Sequence, residues 1–264
     1  MKPVKTAEKK ASTRRDLYRR PACMLNETTH YCQGCGHGTV HRLLAELIDE
    51  LDIRGKTVGI APVGCAVLAY DYIDIDWSEA AHGRPPAVAT GLKRANPDNV
   101  VISYQGDGDL ASIGMAETVH AANRGENFTI VFINNALYGM TQGQMAPTTL
   151  VGQETTTTPR GRDPDNEGHP IDVCQMLSSL EGLDLAVRTT VTTPQKVKTT
   201  KKWLRKALRW QLEGGGLGLV EILAACPTYW RMSPSESNRH IEETMTETFP
   251  LQVYKDDTDL DGQE

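Results

Sequence analysis

The chain of 264 residues has a formal net charge of −6, with 39% apolar and 23% charged residues, which is typical of an ordinary globular protein. Its length allows one large α/β domain or two small ones with an ample core. No apolar run approaches the ~20 residues that a membrane span requires, the start is unlike a signal peptide, and the acidic balance disfavours nucleic acid. We therefore expect a cytoplasmic protein with no membrane or nucleic-acid partner.

Both ends of the chain carry a charge bias. Residues 1–20 hold eight Lys and Arg against two acidic residues, whereas residues 236–264 hold nine acidic residues against two basic ones. We interpret 1–20 as a basic arm that is mobile or docks on a partner, and 236–264 as an acidic tail that is solvated or lies on another subunit. Residues 21–235 show neither a repeat nor a clear linker, so we expect a single domain there.

Strands and helices alternate between the two ends. Apolar residues at helical spacing predict an amphipathic helix over Thr39–Leu51, and Thr193 is the expected cap of a long helix. Buried strands are predicted over 56–62, 99–105, 127–134, 184–191 and 216–225, and further helices over 85–96, 110–125, 170–182 and 193–214. Because the strands look buried on both faces, the fold class is α/β, with a largely parallel, doubly wound sheet and helices on both faces. Residues 141–170 lack periodicity, and so long a loop is usually functional.

Four residues with metal-ligand chemistry come just after predicted strands: Cys65, Asp107, Asn135 and Cys226. In open α/β sheets, ligands bind outside the carboxyl ends of the strands. We therefore expect these four side chains to meet at one edge of the sheet.

The sequence GDGD at Gly106–Asp109 is followed by Asn134 and Asn135, with 25 residues between Gly108 and Asn134. A carboxylate between glycines, at the junction of a strand and a helix, brings backbone N–H groups close to an anion. Asp107, with the amide oxygen of Asn135, can then hold a hard cation such as Mg²⁺ that bridges to phosphate oxygens. The alternative is a glycine turn with a helix-capping aspartate and an unrelated Asn-Asn turn.

The stretch YCQGCGHG places Cys32 and Cys35 among glycines. Six cysteines without a secretory signal argue for a reducing compartment, where clustered thiols indicate metal binding or catalysis. With Cys65 and Cys226, this pair makes a four-thiolate set that suits zinc or an iron–sulfur cluster, and spacing does not separate the two. Isolated third and fourth cysteines, and the Cys-Pro pair at Cys226, favour a cluster.

Two resemblances extend these readings. GDG followed by NN resembles the thiamine-diphosphate motif, which implies Mg²⁺ held by Asp107, the Asn135 side chain and the Leu137 carbonyl, and a cofactor loop that also includes Gly106, Gly108 and Asp109. CQGCGHG, VGC, HGR, GDGD, NNALYGMT and CPTYW stand in an order similar to that in β subunits of 2-oxoacid:ferredoxin oxidoreductases, over roughly residues 20–232. That resemblance implies a 4Fe-4S cluster on Cys32, Cys35, Cys65 and Cys226.

The same resemblance places further residues near the thiamine diphosphate. His37 would lie by the diphosphate; the alternative is a histidine that bonds to the backbone of a turn. His82 and Arg84 would also lie near the cofactor; the alternative is that the HGR turn is purely structural. Thr141 and Gln144 are expected in the pocket, but Gln142 replaces the glycine of the family's T-G-G-Q, which puts the local backbone in doubt. Two cysteines match nothing in the pattern: Cys174, which we expect in the core, and Cys23.

The resemblance implies a subunit that decarboxylates a 2-oxoacid oxidatively to acyl-coenzyme A and CO₂ and passes electrons through the cluster to ferredoxin. The glutamate that activates thiamine is expected on a partner α subunit, within a complex that also holds γ and δ subunits or domains. Leu68, three places after Cys65, cannot pair with a distal carboxylate, which favours a branched-chain substrate such as 2-oxoisovalerate over 2-oxoglutarate or pyruvate. The alternatives are a non-redox thiamine-dependent decarboxylase subunit with structural zinc and a zinc-stabilised binding module.

Overall fold

The computed structural model describes residues 19–260, which form one seven-stranded sheet with helices on both faces. The strand order is β2-β1-β3-β4-β6-β5-β7, and every neighbouring pair is parallel except β5 and β7. The strands are β1 (Thr57–Ala61), β2 (Asp76–Glu79), β3 (Val100–Gly106), β4 (Thr129–Asn134), β5 (Leu183–Thr190), β6 (Leu217–Leu223) and β7 (Val253–Asp256). The predicted α/β class with a largely parallel, doubly wound sheet is confirmed. The predicted basic arm, 1–20, lies almost wholly outside the described residues.

The helices begin where the sequence supplies a cap or a proline. Thr193 caps the longest helix by accepting a hydrogen bond from the Lys196 N–H group, as predicted, and Pro194 at its first position suits a helix start. The helices are α1 (Gly36–Glu50), α2 (Pro85–Ala95), α3 (Met115–Asn123), α4 (Pro164–Glu167), α5 (Val173–Leu177), α6 (Pro194–Leu212), α7 (Pro227–Trp230), α8 (Pro234–His240) and α9 (Thr246–Thr248). Two 3₁₀ turns, Arg54–Lys56 and Val67–Asp71, and two π turns, Asp109–Ile113 and Ile241–Met245, complete the set.

The sheet separates two hydrophobic layers. Alternate residues of β3 point to opposite faces, so that Ile102 packs in the layer of α1 and α6, whereas Val101 packs in the layer of α2, α3 and α5. Apolar burial on both faces is what a central parallel strand requires. The core therefore holds β1, β3, β4 and β6 rigidly side by side, which matters because their carboxyl ends carry the candidate ligands.

The sequence analysis missed both edge strands. β2 and β7 are polar segments with exposed or half-buried residues, so they carry no apolar run to mark them. β7 also belongs to the segment 236–264, which we expected to be solvated or to lie on another subunit. Its described part, up to residue 260, instead packs on this chain's own sheet, with Val253 opposite Val187. The division into arm, domain and tail stays a prediction.

The predicted loop over 141–170 is confirmed in kind, since α4 is the only helix or strand that the structure shows in it. Within residues 19–260, no helix is long and apolar enough to cross a membrane.

Candidate cofactor and metal site

The predicted meeting of ligands at one sheet edge is observed. Cys65, Asp107, Asn135 and Cys226 follow the carboxyl ends of β1, β3, β4 and β6, which are successive neighbours in the sheet. Parallel pairing aligns those ends, so the side chains that follow them converge on one side of the molecule.

A cavity of about 260 Å³ opens at this edge. It is lined by His37, residues 62–66, His82, Gly106–Asp109, Asn135 and residues 137–141. Its lining among the described residues includes neither Arg84, Gln144 nor Leu68. A larger cavity, of about 570 Å³, lies beyond Gln142 and Gly143 and contains none of the predicted ligand residues, so the smaller cavity is the one that carries the chemistry.

Asp107 lies at the floor of this cavity. One of its carboxylate oxygens accepts the Gly108 N–H group at 2.8 Å, and the other accepts the Thr148 hydroxyl at 2.8 Å and the Leu137 N–H group at 3.1 Å. Burial raises the pKa of Asp107 to about 7, although these hydrogen bonds lower it. A bound cation would stabilise the ionised carboxylate and so lower the pKa of Asp107.

The second aspartate of GDGD, Asp109, holds the HGR turn. Its Oδ1 accepts the Gly83 N–H group and is bonded to His82 Nδ1, both at 2.8 Å, while Oδ2 accepts the Gln105 amide at 2.6 Å. Burial raises the pKa of Asp109, and these bonds oppose that shift. The hydrogen bonds of Asp109 thus tie the HGR turn to the end of β3. Arg84 points away and pairs with Glu117 on the surface.

Asn134 and Asn135 play different roles. The Asn134 side chain is buried, donates to Glu221 at 2.7 Å and accepts the Ala136 N–H group at 3.1 Å. Asn135 borders the cavity and keeps its side-chain oxygen near the Leu137 N–H group at 3.3 Å, and its carbonyl accepts the indole N–H of Trp230 at 3.1 Å. Asn134 therefore shapes the turn that presents Asn135.

The four predicted thiols share one neighbourhood. The Gly36 N–H group donates to the Ala225 carbonyl, which ties the Cys32–Cys35 turn to Cys226. Burial, followed by the charges of neighbouring thiols, raises the pKa of Cys35 to about 11 and the pKa values of Cys65 and Cys226 to about 12. Binding to a metal would reverse these shifts, because metals bind the thiolate form.

Gly139 lies next to two of the thiols and to the Asn135 side chain. A Cβ atom at this position would come within 3.2 Å of Cys65 Sγ, 3.6 Å of Asn135 Nδ2 and 3.7 Å of Cys226 Sγ. Because Cys65 and Gly139 both line the cavity, the thiol set and the cavity are adjacent. Within residues 19–260, no three Cys, His, Asp or Glu side chains are arranged to hold a single metal ion.

His37 begins α1 beside the cavity. Its Nδ1 is 2.8 Å from the Tyr104 hydroxyl, and its ring stacks on Tyr31 with ring centroids 4.9 Å apart. Burial lowers the pKa of His37 to about 3, so the ring is neutral near pH 7. The same cause lowers the pKa of His41 to about 3, and a buried Nδ1 of His41 has no partner in the described structure.

The MTQGQ turn takes the shape that a glycine pair favours. Gln142 and Gly143 have φ angles of 81° and 83°, so Gln142 adopts the left-handed conformation despite its side chain. The Thr141 hydroxyl lies at the cavity and donates to Gln144 at 2.7 Å. The doubt about this backbone is resolved: the turn forms, at the cost of strain at Gln142.

The two remaining cysteines are structural. Cys174 is buried in the core near Glu221, as predicted. Cys23 is also buried; its thiol donates to the Ala45 carbonyl at 3.3 Å and its N–H group donates to Asp49 at 3.2 Å. Leu68, which carried the substrate argument, packs partly buried against the hydrophobic layer of α1 and α6.

Sequence reasoning missed the residues that act from behind the ligands. Thr148, Glu221 and His30, whose Nε2 is 2.8 Å from the Cys65 carbonyl, belong to no motif. Trp230 belongs to CPTYW, but nothing in that motif predicted its hydrogen bond to the Asn135 carbonyl. The sequence contains one indirect indication: Thr148 belongs to the long aperiodic loop, and a loop of that length is usually functional.

A family model agrees with this architecture. The model described as "Thiamine pyrophosphate enzyme, C-terminal TPP binding domain" matches residues 62–222. That range includes the GDG and NN segments, the whole of β3 and β4, and all of β6 except its last residue, Leu223.

Curated relatives extend the match to most of the chain. It is 46% identical, over 253 residues, to ketoisovalerate oxidoreductase subunit VorA of Methanothermobacter thermautotrophicus, covering 96% of this chain and 53% of that protein. It is 35% identical to 2-oxoglutarate synthase subunit KorB of Archaeoglobus fulgidus, covering 81% of this chain and 76% of that protein. The chain thus spans about half the length of the VorA relatives, which include one in Methanothermobacter marburgensis at 45% identity.

A solved structure has the same fold. The 2-oxoglutarate:ferredoxin oxidoreductase from Magnetococcus marinus, with 2-oxoglutarate, coenzyme A and succinyl-CoA bound, superposes with a TM-score of 0.70 at 28% identity, over 81% of this chain and 70% of that chain.

Proposed function

This chain belongs to the thiamine pyrophosphate enzymes and, among them, to the 2-oxoacid oxidoreductase subunits, and from that membership we propose that it works as the cofactor-binding subunit of a 2-oxoacid:ferredoxin oxidoreductase. One observation carries the proposal: the GDG–NN cavity and the four cysteines lie at the same sheet edge, where Cys65 lines the cavity and Gly139 is next to Cys65, Cys226 and Asn135. Transfer of electrons from one cofactor to another requires such proximity.

Thiamine diphosphate and Mg²⁺ fit the cavity. Asp107, the Asn135 side chain and the Leu137 carbonyl would hold Mg²⁺, because carboxylate, amide and carbonyl oxygens are its preferred ligands. Gly106 leaves open space beside the backbone for the diphosphate, Gly108 makes room for the Tyr138 ring, and Asp109 keeps their loop in place. When bound, thiamine diphosphate supplies a carbanion that attacks the ketone of a 2-oxoacid and accepts the electron pair left by loss of CO₂.

His37, His82 and Thr141 would complete the cofactor pocket. Neutral His37 is bonded to Tyr104 through Nδ1, so Nε2 is the ring atom that remains for the diphosphate. His82 is held by Asp109, and Thr141 also lines the cavity. Arg84 we now assign to the surface pair with Glu117, and Gln144 to the support of Thr141.

The cysteines fit a 4Fe-4S cluster. Cys32, Cys35, Cys65 and Cys226 would each hold one iron, so the sulfurs need not converge on one point as they must around a zinc ion. Such a cluster supplies a one-electron acceptor.

The reaction is then an oxidative decarboxylation. A 2-oxoacid and coenzyme A give acyl-coenzyme A and CO₂, with loss of one proton and two electrons, which two ferredoxin molecules accept singly. The carboxylates that line the cavity among the described residues are Asp107 and Asp109, and both are already engaged. A partner α subunit would therefore bring the glutamate that activates thiamine, and γ and δ subunits or domains would complete the complex.

We propose a branched-chain substrate such as 2-oxoisovalerate. The support comes from the VorA relatives and from the cavity lining, where Val63, Leu137 and Met140 offer apolar surface. Leu68 contributes nothing to this argument, because it packs against the core instead. Cytoplasmic location also stays part of the proposal.

The test is an anaerobic assay of the complex with its natural partner, using 2-oxoisovalerate, 2-oxoglutarate and pyruvate with coenzyme A and ferredoxin. Reduction of ferredoxin that requires coenzyme A and is fastest with 2-oxoisovalerate supports the proposal. Preference for another 2-oxoacid overturns only the substrate assignment. Release of CO₂ without ferredoxin reduction indicates the non-redox decarboxylase instead.

A further inference from the structure

We propose that residues 146–162, called here the support loop, hold the cation site in a preset geometry, and that Thr148 is a positioning residue for Asp107. The inference rests on the proposed function, because Asp107 has a cation to bind only there. It assigns a role to the part of the long loop that no motif explained.

Thr148 constrains the carboxylate directly. It is fully buried, and its hydroxyl donates to Asp107 Oδ2 at 2.8 Å. The same oxygen accepts the Leu137 N–H group, while Oδ1 accepts the Gly108 N–H group. Three donors from three segments therefore leave the carboxylate one orientation, and Thr148 supplies the only side chain among them.

The support loop also holds the turn that presents Asn135 and Leu137. The Thr149 hydroxyl donates to the Ala136 carbonyl at 2.6 Å, and the Gln153 amide donates to the same oxygen at 3.3 Å. Ala136 has a φ angle of 59°, a left-handed conformation that persists only where surrounding contacts enforce it. The two hydrogen bonds to its carbonyl supply that enforcement.

Arg162 in turn holds the support loop. Its buried guanidinium donates to five backbone carbonyls, those of Pro147, Thr149, Glu167, Gly168 and His169, at 2.6–3.3 Å. Backbone hydrogen bonds between Gly152 and Arg162, and between Arg162 and Gln153, close the loop on itself. A segment tied in this way is a rigid support and not a mobile lid.

The consequence is a cation site organised before the cofactor arrives. Partners that orient metal ligands typically contribute ten- to a hundred-fold in metal affinity. Removing the Thr148 hydroxyl should therefore weaken Mg²⁺ binding while all the Mg²⁺ ligands and the fold are retained.

The experiment compares variants in the complex with its natural partner, freed of Mg²⁺ by chelation. Calorimetry at fixed thiamine diphosphate gives the Mg²⁺ concentration of half-saturation. We expect Thr148→Val to raise it about tenfold or more, and Thr148→Ser, which keeps the hydroxyl, to restore a value near that of the unaltered protein.

Thr57→Val is the matched control. Thr57 is buried and its hydroxyl donates to the Ile53 carbonyl at 2.7 Å, at the opposite end of β1 from the cavity. It should leave the half-saturation unchanged. Equal Mg²⁺ requirements for Thr148→Val and the unaltered protein overturn this inference alone, whereas an unaltered protein that binds no thiamine diphosphate overturns the proposed function and this inference with it.

Hydrogen exchange of the unaltered protein keeps the inference testable if Thr148→Val does not fold. A preset support predicts slow exchange of the Gly152 and Arg162 amides in the cofactor-free complex, with little change when Mg²⁺ and thiamine diphosphate are added. Fast exchange that slows only with the cofactor would show a closing lid and contradict the inference.

Discussion

Asp107 is buried at the end of β3 with 3% of its surface exposed. Burial raises its folded pKa to about 7, above the value of 3.8 expected in the unfolded chain. A carboxyl whose pKa is raised on folding contributes most stability below about pH 4, and that contribution is lost as the pH rises through about 7. In the cofactor-free protein the ionised Asp107 carboxylate thus destabilises the fold near neutral pH, and a bound cation would offset this destabilisation.

Asp107→Asn tests this balance. Because the substitution removes a buried negative charge, we expect the cofactor-free complex to gain about 1–4 kcal/mol at pH 8, and much less at pH 5, where the carboxyl is protonated. Mg²⁺-dependent binding of thiamine diphosphate should be lost. Thermal melting at both pH values, with and without Mg²⁺, checks the prediction, and a larger loss of stability at pH 8 than at pH 5 would contradict it.

Gln142 is a residue in a conformation better suited to glycine, with a φ angle of 81°. The left-handed conformation costs a residue other than glycine about 1–2 kcal/mol. Replacement by glycine removes that cost, but part of the gain is lost because glycine has more conformational freedom in the unfolded chain. We therefore expect Gln142→Gly to be neutral or to stabilise by up to about 1 kcal/mol in denaturant unfolding. Gln175→Gly, within helix α5, is the control and should destabilise by about 1 kcal/mol; equal losses for both would refute the assignment of strain.

Among the elements, β4, β5 and β6 are linked by a buried polar chain that ends at the cofactor turn. Arg188 on β5 donates to Glu221 on β6 at 2.8 Å, and both side chains are buried. Glu221 accepts from Asn134 on β4 at 2.7 Å, and Asn134 accepts the Ala136 N–H group. Through these hydrogen bonds, Asn134 connects the turn after β4 to the neighbouring strands β6 and β5.

Glu221→Gln should break this chain. An unpaired buried arginine costs about 3–5 kcal/mol, and we expect a loss near the lower end because Arg188 also pairs with Asp172. Mg²⁺ affinity should fall as Asn134 loses its anchor. Glu117→Gln, the control, removes a partly exposed pair with Arg84 and should cost less than about 1 kcal/mol. If both variants lost a similar amount of unfolding free energy, the buried chain of polar residues would have no special role.

Elements with a two-sided apolar pattern could be predicted from the sequence, and elements without one could not. The central strands β1, β3, β4, β5 and β6 and the capped helix α6 follow from local patterning. β2 and β7 lie at the sheet edges, where one neighbour and an exposed face remove the apolar signal. In the site, the motif residues that follow strands were predictable, whereas Thr148 and Glu221 act through contacts 41 and 87 residues away in sequence.

At the scale of the whole molecule, the cavity is open and rimmed by exposed apolar side chains. Val63 and Met140 line it with 42% and 54% of their surfaces exposed. No glutamate among the described residues lines the cavity. We therefore expect this chain alone to show no 2-oxoacid oxidation, and addition of the partner α subunit to restore it. Oxidation by the isolated chain, loaded with cofactors and free of partner, would contradict the division of labour.

Metal analysis of the anaerobically purified complex shows whether an iron–sulfur site shares the sheet edge of the thiamine site. We predict about four irons and four sulfides per copy of this chain at these cysteines, with a broad band near ~400 nm that fades on reduction. Cys226→Ser should lose or disturb the cluster, whereas Cys23→Ser, a buried thiol bonded to Ala45, should retain it. Stoichiometric zinc without sulfide would contradict the account and leave the four cysteines a structural site.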